Sequence, residues 1–217
     1  MYKIINSHSH IPLPNAIFNC NMFGECDSAI LNRDNLCSIG VHPWDAEQIS
    51  VEKIKPLFEQ LKLSCNVVAI GECGLDRVRK VDLEKQREVF LAQLELASEN
   101  SLPVVIHCVR AWSDLFPIMQ KFNNLTYILH DFRANIIQIA KLLEFNTYFS
   151  FGKSVFNPSD KTKEVLGIIP KERILIETDE EKIDIESVLE SICLVLQTDK
   201  ELFREQLIKN TNKAFNL

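Results

Sequence analysis

Five histidines, the full complement of this 217-residue chain, fall where imidazoles can act together. His8 and His10 form a His-x-His pair closing the run Met1-Tyr-Lys-Ile-Ile-Asn-Ser, which reads as a short apolar strand. Strand side chains alternate with period two, so both rings point to one side and can share a cation. His42 follows Ser-Ile-Gly-Val, His107 follows Val-Val-Ile, and His130 follows Tyr-Ile-Leu. Two carboxylates sit in similar contexts: Glu72 in Ala-Ile-Gly-Glu-Cys-Gly-Leu-Asp76, and Asp179 in Ile-Leu-Ile-Glu-Thr-Asp. Taken singly, a histidine ending an apolar strand is most often a hydrogen-bonded structural residue, and an acid after a strand often caps a helix. All five histidines in that position are hard to produce that way. The chemistry they suit is metal-assisted hydrolysis.

Such residues converge only if the elements carrying them do. Short apolar, β-branched runs mark strands near Ile4–His8, Ala16–Cys20, Leu36–His42 and Val67–Glu72, and near Val104–His107, Tyr127–His130, Thr147–Phe151 and Ile174–Glu177. Continuous apolar runs are expected where both faces of a parallel sheet are covered. Helical periodicity appears over Leu83–Asn100 behind Asp82, a plausible N-cap, and over Asn135–Phe145, Glu186–Leu196 and Lys200–Phe215. Eight strands with intervening helices predict one (β/α)₈ TIM-barrel domain over residues 1–217. It is trimmed or distorted near the N-terminus, because only Ile11–Asn15 separates the first two strands and a parallel crossover normally needs a dozen or more residues. A barrel brings the C-terminal ends of its strands to one rim, and the histidines and acids meet there.

Composition narrows the class. With 24 basic against 30 acidic side chains, the net charge of −6 argues against a broad basic face for tight non-specific DNA binding. It leaves open a nuclease whose metal ions supply positive charge locally. Seven cysteines without CxxC spacing fit reduced thiols better than a disulfide framework. No signal-peptide profile or membrane-length apolar run is present. The expected protein is therefore cytoplasmic, with no membrane association and no obligate protein partner.

The motifs Ser7-His8-Ser-His10, Gly40-Val-His42-Pro43, Gly71-Glu72-Cys-Gly74-Leu-Asp76, Leu102-Pro-Val-Val-Ile-His107, His130 with Phe132, Ser150-Phe-Gly152 and Ile176-Glu-Thr-Asp179 occur in this order. As a set they resemble the TatD-type metal-dependent hydrolases, a branch of the amidohydrolase-like barrels. The resemblance implies a site for two divalent ions (Zn, Mn or Mg). His8, His10 and Asp179 would hold one ion, His107 and His130 the other, and Glu72 would bridge them. Asp179 would double as general base towards water, and His42 would touch the substrate. The implied activity is hydrolysis of ester bonds by a two-metal-activated water, as in a deoxyribonuclease. The implied substrate is nucleic acid, namely DNA that is single-stranded or attacked at a 3′ end. A small amide, lactone or ester is the alternative.

The chain departs from the family pattern around these ligands. Asn6-Ser7 stands where an acidic residue usually precedes His-x-His. Val109 then Arg110 follow the fifth-strand histidine, Asp131-Phe132-Arg133-Ala134 follows the sixth, and Glu180-Glu181 replaces a proline after Asp179. Arg110 and Arg133 are the candidate substrate contacts, on a rim that also carries Arg77, Arg79, Lys80 and Lys153. Cys73 and Cys108 each follow a candidate ligand, and strand alternation turns them towards packing. Trp44 and Trp112 lie just past strand ends, placed to stack a base or to pack under a loop.

Overall fold

The computed structural model describes residues 3, 5–22 and 35–217. Their strands close into a parallel barrel in sequence order. The strands are β1 (Asn6–Ser9), β2 (Ala16–Asn21), β3 (Leu36–Gly40), β4 (Asn66–Asp76), β5 (Val104–Val109), β6 (Thr126–Leu129), β7 (Asn146–Phe151) and β8 (Ile174–Ile176). The helices are α1 (Val51–Leu61), α2 (Leu83–Asn100), α3 (Trp112–Lys121), α4 (Ile136–Leu142), α5 (Asp160–Ile168), α6 (Ile185–Leu196) and α7 (Lys200–Ala214). All eight expected strands are present, although the expected start of the first, at Ile4, lies outside the described residues. β1 and β2 pair in parallel with only residues 10–15 between them, so the barrel is trimmed there.

Local chemistry sets the helix boundaries. Asp82 accepts a hydrogen bond from the Lys85 amide at the start of α2, a cap that stabilises by about 1 kcal/mol. Asn135 and Gln138 form a reciprocal capping box on α4, and Asp199 caps α7. α4 ends at Leu142, three residues short of the expected Phe145, because Leu143–Phe145 turn into β7. No described helix is long and apolar enough to cross a membrane.

The barrel interior is layered. Ile17, Val68, Val105, Ile128, Tyr148 and Leu175, from six strands, form one buried apolar cluster that Phe215 joins from beyond α7. Polar side chains are also buried on these strands: Ser7 and Ser150 share a hydrogen bond of 2.7 Å, and Ser38 donates to Asn19. A larger apolar cluster fills the space between sheet and helices. Cys73 is fully buried within it, and burial pushes its thiol well up, which keeps it protonated and a poor ligand. Five cysteines are free thiols among the described residues. Cys20, however, is disulfide-bonded, which corrects the expectation of reduced thiols throughout. Pairing depends on closeness in space, which the spacing of cysteines along the chain does not reveal.

Candidate metal centre

Irregular strands aim the ligand-type side chains. β4 shifts register against β5 between Ile70 and Cys73. A bulge of this kind re-aims a side chain, and Glu72 lies inside it. The Glu72 amide, freed from the ladder, donates to Asn19 Oδ1 at 2.9 Å. Gly74 makes the close approach of β4 to β5 possible, since a Cβ there would lie 2.1 Å from the His107 carbonyl oxygen. At the other side of the barrel, β1 is fastened to the end of β8. The His8 carbonyl accepts from the Thr178 and Asp179 amides, and the His10 amide donates to the Asp179 carbonyl at 3.0 Å.

The result is a cavity of about 310 Å³ lined by His10, Asn19, His42, Glu72, His107, His130 and Asp179 among others, with His8 fully buried beneath. Glu72 stands at its centre and divides it. Its Oε2 faces His8 Nε2 at 3.5 Å and His10 Nε2 at 3.4 Å. Its Oε1 faces His107 Nδ1 at 2.8 Å, His130 Nε2 at 2.7 Å and His42 Nε2 at 3.2 Å. Asp179 Oδ1 lies 3.5 Å from His8 Nε2 and 3.4 Å from His10 Nε2. The four candidate histidine ligands thus converge on Glu72, and Asp179 faces two of them.

A cation fits this donor set. Among the described residues neither ring nitrogen of His8 has a hydrogen-bond partner, although both are buried, and His130 Nδ1 has nothing nearer than Glu177 at 3.7 Å. Orphaned buried imidazoles cost free energy unless something else satisfies them. Ligand atoms of His8, His10 and Glu72 lie within 4.8 Å of one another, as do those of His8, His130 and Asp179 and those of His42, Glu72 and His107. Nitrogen with carboxylate oxygen is a donor set that zinc and manganese accept.

Without a cation the cluster holds its charges against one another. Burial alone would raise Glu72, but the charge of His130 and hydrogen bonds from His10, His107 and His130 hold it well below the usual carboxylate range. Asp179 is depressed for the same reasons, its burial outweighed by His10 and His8. His10 is the counterpart: burial would lower it, and Asp179 and Glu72 raise it to about 9.

Some residues in the site were not singled out from sequence. Asp76 faces His107 Nε2 at 3.5 Å and accepts from the Trp44 indole at 2.8 Å. Glu177, fully buried, faces His130 Nδ1 at 3.7 Å and accepts from the Asp131 amide. Asn19 donates to Glu72 Oε2. Asp76 and Glu177 each lie inside a motif read for its neighbour, Glu72 and Asp179, and nothing in the sequence marks Asn19.

The remaining expectations divide. His42 lies past the end of β3, caps a short 3₁₀ turn, and accepts at Nδ1 from the Trp44 amide. Asp179 caps no helix, since the next helix begins at Ile185 behind Asp184. Arg110 and Arg133 do not reach the histidine cavity. They line a neighbouring depression that shares Asp131 with it, and Arg133 is hydrogen-bonded to Asp131. Much of the basic rim is neutralised: Arg77 pairs with Asp114, Lys153 with Glu181, and Arg79 stacks over the Trp44 ring at 3.7 Å.

A family model described as TatD related DNase matches residues 26–216. The chain belongs to this family. The match begins after His8 and His10, so the geometry is what joins those two histidines to the rest of the site. Over 146 residues the chain is 38% identical to an uncharacterized metal-dependent hydrolase, YabD, of Bacillus subtilis, covering 65% of this chain and 57% of that protein. Over 145 residues it is 34% identical to the 3′-5′ ssDNA/RNA exonuclease TatD of Erwinia tasmaniensis, covering 64% and 56%. It is also 32% identical over 203 residues to the human 3′-5′ RNA nuclease TATDN2, covering 83% of this chain and 26% of that one. The chain spans about half the length, or less, of these curated relatives. In fold it resembles YJJV, a TatD homologue from Escherichia coli, with a TM-score of 0.85 at 20% identity over 100% of this chain and 99% of that one.

Proposed function

We propose that this TatD-family chain is a divalent-metal-dependent phosphodiesterase acting on single-stranded nucleic acid. The observation that carries the reading is Glu72, whose two oxygens face two separate groups of histidines. His8, His10 and Asp179 would hold one ion, and His107 and His130 a second, with Glu72 shared between them. Bound there, the ions would supply Lewis-acid activation of water and charge neutralisation at a phosphoryl oxygen.

The chain's own residues do the rest. Asp179, kept ionised by its histidine neighbours, accepts the proton of the attacking water at its carboxylate. Because His42 accepts at Nδ1 from Trp44, a neutral ring carries its proton on Nε2. That nitrogen points into the cavity as a donor, which suits a phosphoryl oxygen and not a metal. Asp76 behind His107 orients that ring, as carboxylates behind metal-binding histidines do, and Glu177 sets a negative charge 3.7 Å behind His130. One observation favours a small neutral amide, lactone or ester instead: Asp131 and Glu180 both line the cavity and would repel phosphate.

Turnover decides between the two. The chain, supplied with Zn, Mn or Mg, is incubated with end-labelled single-stranded DNA and with a panel of small esters, lactones and amides. Shortening of the strand that stops with chelator is the expected result. Intact DNA alongside hydrolysis of an amide or lactone would overturn the phosphodiester reading.

A further inference from the structure

Next to the depression beside the histidine cavity lies a hollow that the proposed chemistry does not use. Residues 130–135, after β6, and 152–159, after β7, enclose about 400 Å³, within the 300–1,000 Å³ range typical of ligand sites. Its floor is apolar, with Phe132, Ala134 and Val165; Arg133, Lys153 and Lys161 surround it, and no carboxylate lines it. Three cations without an acid stand out in a chain of net charge −6. The hollow is also connected. Arg133, Ala134 and Lys161 are shared with the neighbouring depression, and Asp131 joins that depression to the histidine cavity.

We infer that this hollow is a second nucleotide subsite. It takes a nucleotide of the same single strand whose phosphodiester lies in the histidine cavity, and so rests on the phosphodiesterase reading. Three features point to a nucleotide. The apolar floor accepts a base or sugar, and the cations accept phosphate. Ser154 also lines the hollow, and its Oγ has no hydrogen-bond partner among the described residues. Lys161 is the cation best placed to respond. Lys153 is tied to Glu181 and Arg133 to Asp131, whereas Lys161 is exposed and forms no ion pair among the described residues. It also sits in the first turn of α5, where the helix N-terminus adds positive potential. Nothing in the lining is a nucleophile set against a base, so the subsite binds and does not cut.

The test uses the full chain and its Lys161→Glu and Lys161→Ala variants. Binding of a fluorescent ten-residue thymidylate strand is read by anisotropy in EDTA, where no cleavage occurs. Turnover of that strand and of bis(4-nitrophenyl) phosphate, which carries no second nucleotide, is read with divalent ion. Lys161→Glu should raise Kd and KM for the strand about tenfold and lower the salt slope of binding by about 0.7, the loss of one phosphate contact on a single strand. Lys161→Ala should do the same more weakly, and neither should change kcat or the hydrolysis of the small diester. Unchanged strand binding in both variants overturns the subsite. So does an equal loss on both substrates, which places the effect in the cavity. Displacement of the strand by thymidine monophosphate at matching concentration also overturns it, in favour of a free-nucleotide site. If the wild type cuts neither substrate yet binds the strand through Lys161, the subsite stands and the phosphodiesterase reading falls.

Discussion

The two sides of the histidine cavity are built differently. On the β4–β6 side, His107 and His130 lie within 2.8 Å of Glu72 Oε1, and each has a carboxylate behind its other nitrogen, Asp76 at 3.5 Å and Glu177 at 3.7 Å. On the β1–β8 side, His8 and His10 stand 3.4–3.5 Å from Glu72 and Asp179. Among the described residues no carboxylate stands behind His8, whose Nδ1 is unpartnered. The first side is oriented by side chains and the second by backbone, through the amides that bind the carbonyls of His8 and Asp179. Side-chain backing sets a ring's tautomer and basicity, whereas backbone pairing sets only where the ring begins. The β4–β6 side is therefore the more sensitive to loss of a neighbour, and the β1–β8 side to loss of Asp179, which it uses directly.

The largest effect should come from the β1–β8 side. Asp179→Asn keeps the size and one side-chain oxygen but removes the charge and, with it, the proposed base. We expect a folded, metal-binding variant whose kcat falls by about 10²–10⁴, the range for losing a general base. Near-wild-type turnover of the metal-loaded variant would sink the role of Asp179.

The next effect sharpens the contrast at the other side. Asp76→Asn should weaken binding of one ion by about 10–100-fold, as loss of a carboxylate behind a ligating histidine does, measured by titration against a competing chelator. His42→Ala, by contrast, should leave metal content unchanged and lower turnover alone. Metal loss in His42→Ala equal to that in Asp76→Asn would make His42 a ligand and erase the distinction between donor and ligand rings.

The smallest effect is one of pH on the metal-free chain. His10 is raised in the fold from 6.5 to about 9, and His8 and His130 are raised as well, since their carboxylate neighbours outweigh burial. A folded pKa above the unfolded one contributes stability that is complete below about 6.5 and fades as pH climbs towards 9. In EDTA, Tm should therefore fall over that interval. With divalent ion the fall should shrink or reverse, because the cation takes the place of the protons. Parallel curves with and without metal would contradict proton release from this cluster.

Much of this site could be read along the chain because strand ends and barrel geometry leave little choice. Apolar runs ending in histidine, with an acid in Gly71-Glu72-Cys-Gly74, suffice to place His8, His10, His42, Glu72, His107, His130 and Asp179 at one rim once eight strands alternate with helices. Asp82 and Asn135 marked helix starts for the same local reason: a side chain reaching the amide three residues on. What tertiary structure alone decided depends on contacts between distant segments and on strand irregularity. Which oxygen of Glu72 faces which histidines follows from the β4 register shift, and no periodicity encodes a bulge. Asn19, Asp76 and Glu177 joined the site because the barrel sets them beside Glu72, His107 and His130. Arg133 left it because Asp131, two residues before it, holds its guanidinium outside the cavity. Residue type tells what a side chain can bind, but its direction is settled by neighbours that only folding supplies.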